Sequence, residues 1–468
     1  MTGFRQYRLR LTGFVCALCL AVPASAETLT DALVSAYNNS NLLEQSRAVL
    51  RAADEDVAVA VAALRPTLDY NLTRDWGFAQ DDSFLINRDS VVNTLALTSE
   101  LSLYEFGRNQ LAIDAAKEAV LAAREGLVQQ EQAILFAAVS AYMDVLGAIE
   151  IVELRVNNVR VLQEEVRAAN DRFEVGEVTR TDVALAQSRQ ALADANLESA
   201  RGDLQIAREA FKLAVGRYPG TLAQPPAVPA TAASLDAARD IAVRLHPAVL
   251  EAQRLVTVSE INVARAEASV LPSLTANARA GYADGSSTSN SGNLEGFGSI
   301  GVEFGGPIYR GGALNSAFRS AKAQRDQNRA TLLQTSLQVS EQVGRAWAVR
   351  EVARAVLVST GRQIEAAQIA FDGTREEATL GARTTLDVLD AEQELLDARG
   401  DRIAAAVDEQ IAVYGLLSSM GRLTVDYLGL PVMAYDPSVY YNQVRNAPAA
   451  NSAQGLQLDN VLKSIGKY

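Results

Sequence analysis

Between residues 181 and 215, small and apolar positions recur at alternating intervals of three and four. Val183, Ala186, Gln190, Ala193, Leu197, Ala200, Leu204, Ala207, Phe211 and Ala214 form the stripe. That spacing is a coiled-coil seam and predicts a long helix packed along its length. Residues 108–173 contain no proline and are also predicted helical. A helix of about 65 residues is about 100 Å long, so these elements are rods. Elsewhere the period changes to two. Leu68, Tyr70 and Leu72 alternate with Thr67, Asp69, Asn71 and Thr73; Leu95, Leu97, Leu101 and Leu103 alternate with Thr94, Thr98, Glu100 and Ser102. Such alternation predicts two strands with one apolar and one polar face, joined by a polar loop at 79–89. The stretches PSLTANARAGYAD and GFGSIGVEFGGPIY predict a second pair around a loop at 285–295. One amphipathic, alanine-rich helix is predicted ahead of each pair, at 29–64 and 235–271, stopped by Pro66 and Pro272.

The chain therefore says the same thing twice. EVGEVTRTDV aligns without a gap on TLGARTTLDV: Gly176 falls on Gly381, Thr179 on Thr384, and Asp182-Val183 on Asp387-Val388; further on, Gly216-Arg217 falls on Gly421-Arg422. The corners LYEFGR and IYRGGA also correspond. The order helix–strand–strand–helix–helix is duplicated, with a first repeat at 27–218, a proline-rich linker at 219–230, a second repeat at 231–430 and a tail at 431–468, expected to be disordered after Asn446. Four strands cannot close a barrel, since the smallest single-chain membrane barrels have about eight. An open sheet with one apolar face would aggregate. Several chains are expected to share a barrel. Two would give about 8 strands and three about 12, and only the larger leaves a lumen.

Composition narrows the setting. Residues 1–26 read as a secretory signal peptide: Arg5, Arg8 and Arg10, an apolar run, then Ala24-Ser25-Ala26. Both cysteines, Cys16 and Cys19, lie within it, so their spacing is no redox or metal motif. Removing the segment takes the formal charge from −13 to −16, because it holds three arginines and no acid. That acidity argues against nucleic acid as a partner. No stretch beyond the signal is apolar throughout for 18 residues, so no transmembrane helix is expected. His246 is the single histidine; without cysteines it can build no His/Cys metal cluster, and a packing or surface role is expected. GFGSIG has the G-x-G-x-x-G form, but it lies within a predicted strand and opens no helix, so a nucleotide site is rejected. Asn71-Leu72-Thr73 fits a glycosylation acceptor, but within a predicted barrel strand it is expected to carry no such chemistry. Trp76 and Tyr104 are candidates for aromatic girdles. No cofactor and no catalytic residue is expected.

With these features the chain resembles the TolC-type outer-membrane efflux and secretion channels. The resemblance covers nearly the whole chain after residue 26. Its most specific stretch is GARTTLDVLDAEQEL, and the tail LGLPVMAYDPSVYYNQVR resembles channels of type I secretion. The resemblance implies a mostly helical fold with sheet, in which a homotrimer forms a 12-stranded outer-membrane β-barrel continuous with a long 12-helix α-barrel in the periplasm. It implies a passive, non-enzymatic duct that meets a periplasmic adaptor and an inner-membrane pump, ABC, RND or similar, with outer-membrane lipid around the barrel. Val175, Gly176, Thr179, Leu380, Gly381 and Thr384 would be adaptor-docking tips. Asp387 and Asp390, three apart on one helix face, would form acidic rings at the pore gate. Asp182 and Arg383 would be a closing lock. Glu177 and Ala382 depart from the family pattern at the tips, as does Ala378, where an aromatic residue often stands. The alternative weighed is a soluble periplasmic coiled-coil scaffold or adaptor protein, which the four half-apolar strands oppose. A secreted hydrolase is opposed by the lack of a nucleophile motif.

Overall fold

The computed structural model describes residues 26–81, 86–287, 294–449 and 452–464. The expected signal segment, apart from Ala26, and the centres of both strand-connecting loops lie outside the described residues. Helices α1 (Leu29–Asn39) and α2 (Asn41–Ala62) lead to strands β1 (Thr67–Asp81) and β2 (Ile86–Tyr104), then to α3 (Arg108–Glu174) and α4 (Arg180–Val215). The order returns as α5 (Leu235–Leu245), α6 (Pro247–Ala268), β3 (Ser273–Ser287), β4 (Leu294–Gly305), α7 (Ala313–Thr379) and α8 (Thr385–Ser419). The tail adds α9 (Val425–Leu428), α10 (Pro437–Val444) and α11 (Ala453–Ser464). At 67 residues each, α3 and α7 are about 100 Å rods.

The strands form one antiparallel sheet in the order β1-β2-β3-β4, leaving β1 and β4 as its edges. Its register places most of the large apolar residues of the four strands on one face. Leu72 pairs with Leu95 and Leu95 with Tyr282; Tyr70 pairs with Leu97 and Leu97 with Ala280; Ile300 faces Ala278 and Val302 faces Ala276. Among the described residues nothing covers this face: Tyr70 is 83% exposed and Ile300 90%. The opposite face carries Asp69, Asn71, Glu100, Asn277, Arg279 and Glu303, with Arg279 lying 5.1 Å from the Phe297 ring centre. Trp76 sits well inside β1, while Tyr104 ends β2 and stacks obliquely on Phe106.

Two expectations about the elements need correction. Each leading helix is two helices. Ser40 ends α1 and starts α2, its hydroxyl accepting from the Leu43 N–H at 3.3 Å. His246 does the same between α5 and α6: its Nδ1 accepts from the Ala248 N–H at 3.2 Å, and Pro247 fills the first helical turn. Burial lowers the His246 pKa, which keeps that ring nitrogen free to accept. Gly216 and Gly421 close α4 and the turn after α8 against these breaks; a Cβ there would lie 2.9 Å from Asn39 Cβ and 2.7 Å from His246 Cα. Second, the strands run further into the expected loops than the alternation suggested, to Asp81 and from Ile86, and to Ser287 and from Leu294. Ladder hydrogen bonds need no apolar face, so polar strand ends stay paired. One stretch of α3 is long and apolar enough by composition to cross a membrane. Its Ile134–Leu146 region is instead the centre of the main core, where Leu135, Val139, Tyr142 and Val145 meet Leu33, Phe211 and Leu417.

The linker at 219–230 is docked on Glu27, just ahead of α1. Ala223 N–H donates to the Glu27 carbonyl at 2.9 Å, the Tyr142 hydroxyl reaches the carbonyls of Glu27 and Ala223, and Arg217 pairs with Glu27 at 2.8 Å. The tail folds back as well. Tyr435 and Tyr441 pack on Leu50, Val57 and Val120, and the Tyr440 hydroxyl donates to Glu55 at 2.8 Å. Beneath this contact Asp54 is fully buried, and neither carboxylate oxygen has a hydrogen-bond partner. Beyond Asn446, in the stretch expected to lack order, residues 453–464 form α11, opened by the Ser452 hydroxyl accepting from the Gly455 N–H.

Candidate functional site

The coiled-coil stripe of α4 packs on α3, with Val183, Ala186, Ala193, Leu197, Ala200 and Phe211 buried. The α7–α8 hairpin is built in the same way, through Ala367, Leu395 and Ala398. Each hairpin ends in the same turn. Gly176 and Gly381 have φ of +81° and +74°, a left-handed conformation that costs glycine little. The Glu177 N–H donates to the Arg172 carbonyl and the Ala382 N–H to the Glu377 carbonyl, both at 2.9 Å. This is a glycine C-cap followed at once by a new helix.

The new helix starts on a reciprocal cap. The Thr384 N–H and hydroxyl donate to one Asp387 carboxylate oxygen at 2.9 and 2.8 Å, and the Asp387 N–H donates back to the Thr384 hydroxyl at 3.3 Å. Thr179 and Asp182 repeat it at 2.8, 2.7 and 3.3 Å. Four backbone donors at a helix start need acceptors, and this pairing supplies two of them. The Thr384 backbone bond, then its hydroxyl, holds the Asp387 carboxyl below the usual carboxylate range; the Thr179 hydroxyl, then its backbone, does so for Asp182. Both therefore stay ionised. The apolar residues beside the glycines stand in solvent, Val175 71% and Leu380 83% exposed.

At the hairpin ends the named charges make other pairs than the expected lock. Within the chain Arg383 does not pair with Asp182. Its Nε meets Glu377 at 2.8 Å across its own turn, while Asp182 serves as a helix cap. The physical reason is proximity: each charge finds a partner a few residues away. Asp390 is also engaged. It lies 2.8 Å from Arg189 of α4, so the two hairpins are tied at that level. Nearby, the Asn158 amide of α3 donates to the Glu392 Oε1 of α8 at 3.3 Å. Sequence reading named neither Arg189, Asn158 nor Glu392. Their only signal was helical phase, since Glu392 lies three residues beyond Leu389 on the packed face. Among the described residues no group of three or more His, Cys, Asp or Glu could hold a metal ion.

Comparison with known proteins fits this geometry. The sequence profile of the outer membrane efflux protein family matches residues 32–217 and 238–422, the two structural repeats. The outer membrane efflux protein BepC of Brucella suis is 36% identical over 425 residues, covering 90% of this chain and 91% of its own. The alkaline protease secretion protein AprF of Pseudomonas aeruginosa is 27% identical, covering 84% of each chain. In fold, the chain resembles the crystal structures of CusC, with a TM-score of 0.72 over 84% of this chain and 92% of that one, at 18% identity. The chain thus belongs to the outer membrane efflux protein family, and it is an outer-membrane channel of an efflux or secretion system, with a periplasmic helical tunnel.

Proposed function

We propose that three copies of this chain form one passive exit duct, gated at the hairpin ends and coupled there to a periplasmic adaptor and an inner-membrane pump. The observation that carries it is the sheet: four strands, two unpaired edges and a continuous uncovered apolar face. Within a bilayer every backbone group needs a partner, so such edges must meet other edges. Three copies give about 12 strands with the apolar face toward lipid and the Asp69–Glu303 face toward water. A periplasmic scaffold has no use for that face.

The exposed ends Val175, Gly176, Thr179, Leu380, Gly381 and Thr384 supply the docking surface for the adaptor. Asp387 and Asp390, repeated three times, give the mouth its acidity and favour cations. Arg383 and Asp182 act as the lock across subunit boundaries. No reaction is catalysed; the inner-membrane pump supplies the energy. Size-exclusion chromatography with light scattering in detergent tests the reading. A trimer is expected, and a stable, folded monomer in plain buffer overturns it.

A further inference from the structure

Among the described residues, the hydrogen-bonded side-chain pairs that cross from the α3–α4 hairpin to the α7–α8 hairpin are two, and they lie side by side. Arg189 meets Asp390, and Asn158 meets Glu392. Between them Leu389 of α8 is inserted among Val159, Leu162, Ala193 and Leu197 of the first hairpin. From that level to its end, the buried residues Ala169, Val183 and Ala186 of the first hairpin pack within that hairpin. Whatever separates the hairpins at the mouth must break this contact first.

Glu392 makes the contact unusual. It is 8% exposed, its Oε1 is held by Asn158, and its Oε2 is buried without a partner. The charges around it come from every packed element: Glu165 on α3, Arg189 on α4, Arg375 on α7 and its neighbour Asp390 on α8. Burial, then Glu165, opposes its ionisation; Asn158 and Arg375 favour it, and the balance puts the carboxyl at about 7. An ionised carboxylate here has one oxygen unsatisfied in a nearly dry seam, which weakens the packing.

We propose that Arg189–Asp390 and Asn158–Glu392 form a clasp that holds the second hairpin against the first within each chain, and that a proton on Glu392 tightens it. The clasp rests on the gated-channel reading and adds its intramolecular step: the second hairpin leaves the first by parting these two pairs around Leu389. An exposed ion pair shifts a two-state balance by up to about fivefold, and three chains act together at one mouth. The resting duct should therefore be more closed at pH 5.5 than at pH 8.

Planar-bilayer recording of the whole trimer tests this, with Arg383→Ser as a reference for the mouth. Arg189→Glu should raise conductance several-fold, and the swap Arg189→Glu with Asp390→Arg should bring it back toward the wild-type level, with a lower cation preference from the lost Asp390. Glu392→Gln should flatten the difference between pH 5.5 and pH 8 and hold conductance at the low-pH value. Heat-resistant trimer on gels confirms that each variant is assembled. If Arg383→Ser opens the channel while Arg189→Glu does not, the clasp is wrong and the gate stands. If neither variant changes conductance, the gate at this end is overturned with it. A full pH response in Glu392→Gln overturns the role of the proton.

Discussion

Asp54 offers a direct measure of what an orphaned charge costs this fold. It lies under the docked tail, fully buried, with no hydrogen bond to either oxygen. Burial pushes its carboxyl up from 3.8 to about 6, offset in part by Arg124 and reinforced by Glu55. A rise of about two pKa units is worth at most about 3 kcal/mol, at 1.36 kcal/mol per unit. Relaxation of the packing around the charge lowers this to about 1–2 kcal/mol. The sign follows from linkage: the native state binds a proton that the unfolded chain has already released. Stability is thus greatest below pH 3.8, falls as the pH rises toward about 6, and is flat above. Asp54→Asn removes the charge and keeps the shape, so it should be more stable than wild type at pH 8 by about 1–2 kcal/mol. Near pH 4 the two should agree. Thermal unfolding of the detergent-solubilised protein at both pH values measures this, and limited proteolysis of the tail shows whether the gain lies at the docked segment. If Asp54→Asn is destabilised equally at both pH values, the carboxylate has a partner that this account lacks.

Other outcomes follow from single positions. Thr384→Ala removes a reciprocal cap and should cost about 1 kcal/mol locally, seen as faster amide exchange over residues 384–388; unchanged exchange would discount the cap. Gly281→Val would place a Cβ 2.3 Å from the Leu95 carbonyl oxygen, so trimer yield should collapse, and a normal yield would show that the β2–β3 pairing is wrong. Ile300→Arg on the uncovered face should cost about 2–4 kcal/mol if it faces mid-bilayer; urea unfolding in bilayers would show no loss if that side instead faces water.

Much of this architecture was legible because it is written in periods. The α4 stripe runs by threes and fours and the strands by twos, and both survive duplication, so the rods, the sheet and the two glycine turns could be placed from residue types alone. The breaks at Ser40 and His246 were harder to see. A serine cap costs one hydrogen bond to switch on, and the apolar phase continues across it; His246 draws attention as chemistry when its ring nitrogen is occupied as a cap. Charge partners were the least legible. Within one chain Arg383 meets Glu377, six residues away, a local pair that residue types alone did not signal. Arg189 and Asp390 lie 201 residues apart, and only the packing of one hairpin on the other brings them together.

The two bare edges of the sheet also set the order of events in time. Until β1 of one copy meets β4 of another, each carries a row of backbone groups ready to pair with any strand that arrives. The long rods can form from local contacts within each chain, but closing the ring is a third-order problem in which every missing copy leaves two sticky margins. Maturation should accordingly slow steeply on dilution, and a single excess of half-made chains would feed aggregation faster than assembly. For this protein, the supply of neighbours at the membrane is part of how it folds.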